Sequence, residues 1–228
     1  MAMLVNLRNL LEHQLEDLYS AEEQIIEALP RMAEAATERE LKRTFKEHLR
    51  ITKEQKRRLD QIKKMFKKEA VTEENNSSEF LERMFGEGGT KCKGMEGLIQ
   101  EGEKIMAEEM EPAVKDAAII ASCQKIEHYE ISGYGTARAY AKELGLREVE
   151  RALAATLKEE YTADKLLNVL ALNKVNLKAE TSGGTKASPS TAAGRRGTSS
   201  KGASRKTASK KTASKKTASK KGASKRSR

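Results

Sequence analysis

The sequence predicts an all-α protein: a four-helix bundle with a crossover carrying short helices, followed by a disordered basic tail. Three observations carry this reading. Four long segments repeat apolar residues at the helical period of about 100° per residue. The composition favours Ala, Leu, Glu, Lys and Arg, with three prolines, no Trp and 4% aromatics. That suits a core of Leu, Ile, Ala and Met and argues against an aromatic-rich β-sandwich. Finally, from "TSGGTKASPSTAAGRRGTSSKGAS" onward the periodicity vanishes, and Ser, Thr, Gly, Ala and Lys cannot bury enough surface to fold alone. Residues 1–174 are therefore read as the bundle and 175–228 as the tail.

The first helix is expected from about Leu4 to Ala36, with Pro30 kinking or dividing it. Thr37, with Glu40 three residues on, reads as the N-cap of a second helix to about Lys68. In the crossover, "NNSSEFLERMF" reads as a short capped helix, "GEGGTKCKG" as a loop and "MEGLIQEGEKIMAEEM" as another helix. Pro112 opens a third long helix that Gly145 ends, and the fourth runs from near Leu146 to about Leu172. Two hairpins of long helices joined by a longer connection give the bundle.

The formal net charge of +10 hides an asymmetry. Residues 186–228 hold 15 of the 44 Lys and Arg and no acid, leaving 29 basic and 34 acidic residues in the body, a net of −5. A basic tail on an acidic body points to a polyanionic partner, most often nucleic acid. Cys92 and Cys123 form no zinc spacing and no CxxC pair, which fits reduced, intracellular thiols. The N-terminal stretch has no apolar signal region, and no apolar run is long enough to span a membrane. A cytoplasmic protein is expected.

The interior stripes are not wholly apolar. On helix three, Cys123, Ile126, Glu127, Glu130, Tyr134, Ala137 and Ala141 share one stripe. Leu18, Glu22, Ile25 and Leu29 do so on helix one, with Glu23 facing out. Helix two aligns Phe45, His48, Thr52, Gln55, Leu59 and Ile62, with Glu47 and Glu54 outside. Helix four aligns Leu153, Thr156, Leu157, Glu160, Asp164 and Leu167. At about 1.5 Å rise per residue, both hairpins carry these polar groups near mid-helix.

Five buried carboxylates cannot all stay ionised without compensation. They can share protons, pair with Lys or Arg, or bind metal. The stripes hold little Lys or Arg, and Lys56 and Lys63 lie at an edge with reach to solvent. Metal is the more economical answer, and carboxylates with few imidazoles favour iron or manganese. A hydrogen-bonded polar core is the competing reading. Tyr134 and Tyr161 read as packing residues.

The segments "DLYSAEEQIIEALPRMAEAA", "HLRITKEQKRRLDQI", "CKGMEGLIQEG", "KIEHYEISGYGTARAYAKELG" and "LKEEYTADKLLNVLA" occur in order across about residues 4–172. They resemble the YciE/YciF family of ferritin-like bacterial stress proteins. The resemblance implies a ferritin-like bundle, related to rubrerythrin and ferritin, that assembles as a homodimer. The ferritin pattern takes one Glu from each of two helices and Glu-x-x-His from each of the others. Glu22 matches the first-helix Glu, Glu127 or Glu130 the third-helix Glu, and Glu160 the fourth-helix Glu. The fourth-helix His is missing, with Asp164 its nearest substitute, and helix two reads Thr52-x-x-Gln55. A dinuclear iron (or manganese) site would then use Glu22, Glu127, Glu130 and Glu160, with Asp164, Gln55 and His48 as further ligands or their hydrogen-bonding neighbours. The chemistry implied is ferroxidase- or peroxidase-like.

From Lys206 the tail repeats KTASK, KTASK, KTASK, KGASK. Lys206, Lys210, Lys211, Lys215, Lys216, Lys220, Lys221, Lys225 and Arg226 alternate with small residues, which suits phosphate contacts that read no sequence. The tail resembles those of linker histones and bacterial histone-like proteins. The resulting expectation is an iron-binding stress protein held non-specifically on DNA at the nucleoid. The alternative is a non-enzymatic DNA-compacting or scaffold protein whose bundle binds no catalytic metal.

Overall fold

Helix propensity and apolar periodicity produce six α-helices among the described residues. The structure is a computed structural model and describes residues 4–72 and 91–182, with side chains to Phe66 and from Lys91. The helix expected in "NNSSEFLERMF" and the tail lysines from Lys186 onward lie outside these residues. The elements are α1 (Leu7–Ala35), α2 (Arg39–Thr72), α3 (Lys93–Ala107), α4 (Pro112–Glu143), α5 (Arg147–Leu170), a π-helical turn (Ala171–Val175) and α6 (Asn176–Ser182). No strand occurs among the described residues, and no helix there is long and apolar enough to cross a membrane. The bundle is α1, α2, α4 and α5, with α3 packed on α1 and α4.

Local chemistry sets most ends. The Asn6 side chain accepts the Asn9 N–H at 2.8 Å and starts α1. Pro30 lies inside α1 without dividing it. Leu29, Met32 and Ala33 are buried on either side of the proline and hold that turn by packing. Pro112 opens α4, where its missing N–H costs nothing. Gly145 ends α4 at φ 71°, and the Leu146 N–H closes back on the Ala141 carbonyl at 2.9 Å.

The start of α2 differs from expectation. Thr37 does not act as the cap. Instead Asp116 of α4 accepts the Thr37 N–H (2.6 Å), the Thr37 hydroxyl (2.6 Å) and the Glu38 N–H (2.8 Å). A buried carboxylate 79 residues away thus satisfies the donors of the α1–α2 turn. Asp116→Ala should lower unfolding free energy by about 2–3 kcal/mol, since three charge-assisted bonds to part-buried donors are lost together. Urea denaturation reads this directly.

The chain also stays helical beyond Leu172. The π turn keeps Ala171 and Val175 buried. Beyond it, Lys174 and Lys178 reach the α2 start, with Lys174 Nζ 2.9 Å and Lys178 Nζ 2.5 Å from Glu38. Hydrogen bonds from these two lysines hold the Glu38 carboxyl down to about 2.

The core has two apolar halves. One gathers Ile25, Leu29, Phe45, Ile119, Ile126 and Leu167; the other gathers Leu15, Leu18, Leu59, Ile62, Tyr134 and Leu153. Each large apolar side chain contributes about 1.5–3 kcal/mol on burial. Between the halves the stripes of all four bundle helices turn polar.

Candidate metal centre

The polar layer is built by helical spacing. Glu127 and Glu130 lie three apart on α4, and His48 and Gln55 lie two turns apart on α2. These share the interior with Glu22 of α1 and Glu160 of α5, and all six are buried. His48, Glu127, Glu130 and Glu160 each offer a donor atom, all within 4.8 Å of one another. Donors on opposite sides of one ion stand roughly 4 Å apart, so this spread is the size of a metal site.

Of the seven candidate ligands, the structure gathers four in this cluster and places two at its edge. Glu22 accepts a short hydrogen bond from the Tyr134 hydroxyl and is repelled by the Glu160 carboxylate. Gln55 donates a short hydrogen bond to Glu160 and a longer one, 3.3 Å, to Glu159. Asp164 lies apart. It is partly exposed, accepts from the Gln124 amide at 3.0 Å and stands 3.4 Å from the exposed His128. Thr52 is buried but turns its hydroxyl back to the His48 carbonyl at 2.9 Å, so α2 supplies no carboxylate.

Four features depart from the sequence reading or add to it. Tyr134 both packs and orients Glu22. Tyr161 is exposed. Lys63 is buried rather than solvated, its ammonium 2.8 Å from the centre of the Tyr19 ring, and burial lowers it to about 8. Arg58 forms a two-pronged pair with Glu159 (2.5 and 2.7 Å) on the outer side of the layer. The spacing Arg58, Gln55 on α2 and Glu159, Glu160 on α5 hints at that pair, but only once helix register is known.

The electrostatics follow from burial. Desolvation, with repulsion from Glu160, pushes the Glu22, Glu127 and Glu130 carboxyls well above the usual range. Glu160 is pushed up to about 7 by burial, while a hydrogen bond from Glu127 draws it down. Burial lowers His48 to about 4, so its imidazole is neutral at neutral pH. The Cys123 thiol lies 3.4 Å from Glu127 Oε1, and His48 Nε2 lies 3.6 Å from the same oxygen.

The residues fit a metal ion. Glu22 Oε2, Glu127 Oε2, Glu130 Oε1, Glu160 Oε2 and Gln55 Oε1 are buried without a hydrogen-bond partner. Each such group costs about 1–3 kcal/mol, more if charged. A cation within the cluster would satisfy the oxygens of Glu127, Glu130 and Glu160, and oxygen donors with one imidazole suit a hard or intermediate divalent ion.

Comparison with known proteins identifies the family and agrees with the fold. The family described as "Domain of unknown function (DUF892)" matches residues 6–89 and 79–180. Protein YciF of Escherichia coli (strain K12) is 41% identical over 168 residues, covering 74% of this chain and 92% of YciF. The crystal structure of the E. coli stress protein YciF superposes with a TM-score of 0.64 at 36% identity, covering 76% of this chain and 99% of that one. YcfI of Rhodopseudomonas palustris gives 0.60 at 40% identity, covering 72% and 93%.

Proposed function

The chain belongs to the DUF892 family, that of the stress protein YciF, and from this premise we propose that it is a ferritin-like stress protein with a dinuclear iron or manganese site, held on DNA by its basic tail. One observation carries the metal reading: Glu127, Glu130 and Glu160, whose donor atoms gather within 4.8 Å together with that of His48, each keep one buried oxygen without a hydrogen-bond partner. Charge supports two ions. Glu22, Glu127, Glu130 and Glu160 ionised carry four negative charges, which two divalent cations cancel.

Bound iron would supply one-electron chemistry toward oxygen or peroxide. The protein's part is to hold and shield. Gln55 fixes one oxygen of Glu160 and leaves the other free for a cation, and Tyr134 does the same for Glu22. The two apolar halves exclude water on either side, which strengthens every charge interaction in the layer. The tail supports DNA association through its charge, and the likeness to the YciF family supports a homodimer, which sedimentation would read.

The test is elemental analysis of protein purified without chelator and of protein loaded anaerobically with Fe(II) or Mn(II). About two ions per chain are expected, and almost none in Glu127→Ala/Glu160→Ala. Retention by the double variant refutes these ligands. No uptake by the unsubstituted protein leaves a metal-free scaffold.

A further inference from the structure

A buried cluster needs a way in, and the molecule offers one. A groove of about 370 Å³ lies between α2 and α5, lined in part by Glu47, His48, Ile51, Ala155, Glu159 and Ala163. His48 belongs to both the groove and the cluster. Two other grooves, beside Pro30 and under Arg31, contain no cluster residue. Within the cluster, His48 is also the member that touches solvent: 7% exposed, against 0% for Glu127, 1% for Glu130 and 0% for Glu160.

We propose that this groove is the port by which hydrated divalent cations reach the carboxylates, with the His48 imidazole as its gate and first ligand. The inference rests on reading the cluster as a metal site. Six waters of about 30 Å³ each fit the groove with their ion. Glu47 and Glu159 on its walls are paired with Arg50 and Arg58, each within 2.7 Å of its partner, and Lys158 also lines it, so the walls hold no unpaired carboxylate that would retain an ion. Ile51, Ala155, Ala163 and Leu166 make much of the remaining wall apolar, and the Thr44 and Thr162 hydroxyls are weak ligands, so an ion is not held on the way. At the inner end the His48 imidazole, which belongs to both groove and cluster, can exchange one water of the ion for a ring-nitrogen lone pair. Glu127 Oε1 lies 3.6 Å beyond, so a rotation of the ring passes the ion to the first carboxylate.

Plugging the groove tests this. Ala155 and Ala163 are not part of the buried core, so Ala155→Phe/Ala163→Phe fills the port while sparing the interior. Co(II) alone is the probe, its visible absorption reporting uptake and its removal by a chelator reporting release. Both rates should fall about tenfold in the plugged variant, with stoichiometry unchanged. Lys46→Phe, in the groove beside Pro30, should alter neither. Normal rates and stoichiometry in the plugged variant overturn the port alone. Failure of the unsubstituted protein to bind Co(II), Fe(II) or Mn(II) overturns the port and the metal site together.

Discussion

Metal-free protein should lose stability as pH rises above 6.5, and added Fe(II) or Mn(II) should abolish that loss. Glu160 is raised from an ordinary 4.5 to about 7. Between those values the folded state holds a proton that the unfolded chain has released, so unfolding free energy falls with pH. Over the full interval this amounts to about 3 kcal/mol. His48 acts in the opposite sense. Its folded value of about 4 lies below the ordinary 6.5, so it adds stability as pH rises between the two and offsets Glu160 there. Above pH 6.5 His48 has no further effect. Glu22, Glu127 and Glu130, raised by burial, then act with Glu160 in the same direction.

Bound cations remove the cause, because they stabilise the ionised carboxylates and bind the folded state alone. Urea midpoints at pH 6.5 and 8, with and without metal, measure the difference. The same logic predicts that Glu130→Leu stabilises the metal-free protein at pH 8 while weakening metal binding, since a well-packed apolar side chain replaces a charge with no partner. A metal-free protein whose stability climbs from pH 6.5 to 8, or a midpoint that metal does not move, would sink the account of the buried layer.

The second large effect concerns residues 183–228. Removing them should nearly abolish binding to duplex DNA, since the remaining body carries 29 basic and 34 acidic residues and repels phosphate. If ten of the 15 tail charges engage duplex, the log–log salt slope is about −9, a loss of about five orders of magnitude in affinity from 50 to 200 mM salt. Scrambling the DNA sequence should change nothing, because lysines spaced by small residues read phosphates and not base edges. Fluorescence anisotropy across salt concentrations on the full chain and on the chain ending at Ser182 makes the comparison. Undiminished binding by the shortened chain would refute the assignment. Circular dichroism should show the same helical signal per folded chain in both, since α1 to α6 end at Ser182.

The sequence by itself determined the helices and their inward faces. Every stripe residue read on α4, from Cys123 to Ala141, is buried, and so are Phe45, His48, Thr52, Gln55, Leu59 and Ile62 on α2. Burial about a helix is an angular property, and a 3.6-residue period writes it into the chain locally. What periodicity leaves open is position along the axis and the neighbour across it. Asp164 shares the stripe of Glu160, yet one turn further on α5 meets Gln124 and His128 at the surface instead of the cluster. His48, which periodicity left as either a ligand or its hydrogen-bonding neighbour, has a donor atom among those of the carboxylates. Asp116 gave no sign that it would hold the α1–α2 turn, and nothing in the tail-ward sequence required helix to continue through Ser182 to bring Lys174 and Lys178 to Glu38. These were decided by how one hairpin slides and leans on the other. That is a sum of many weak contacts between residues far apart in sequence, and no local pattern records it.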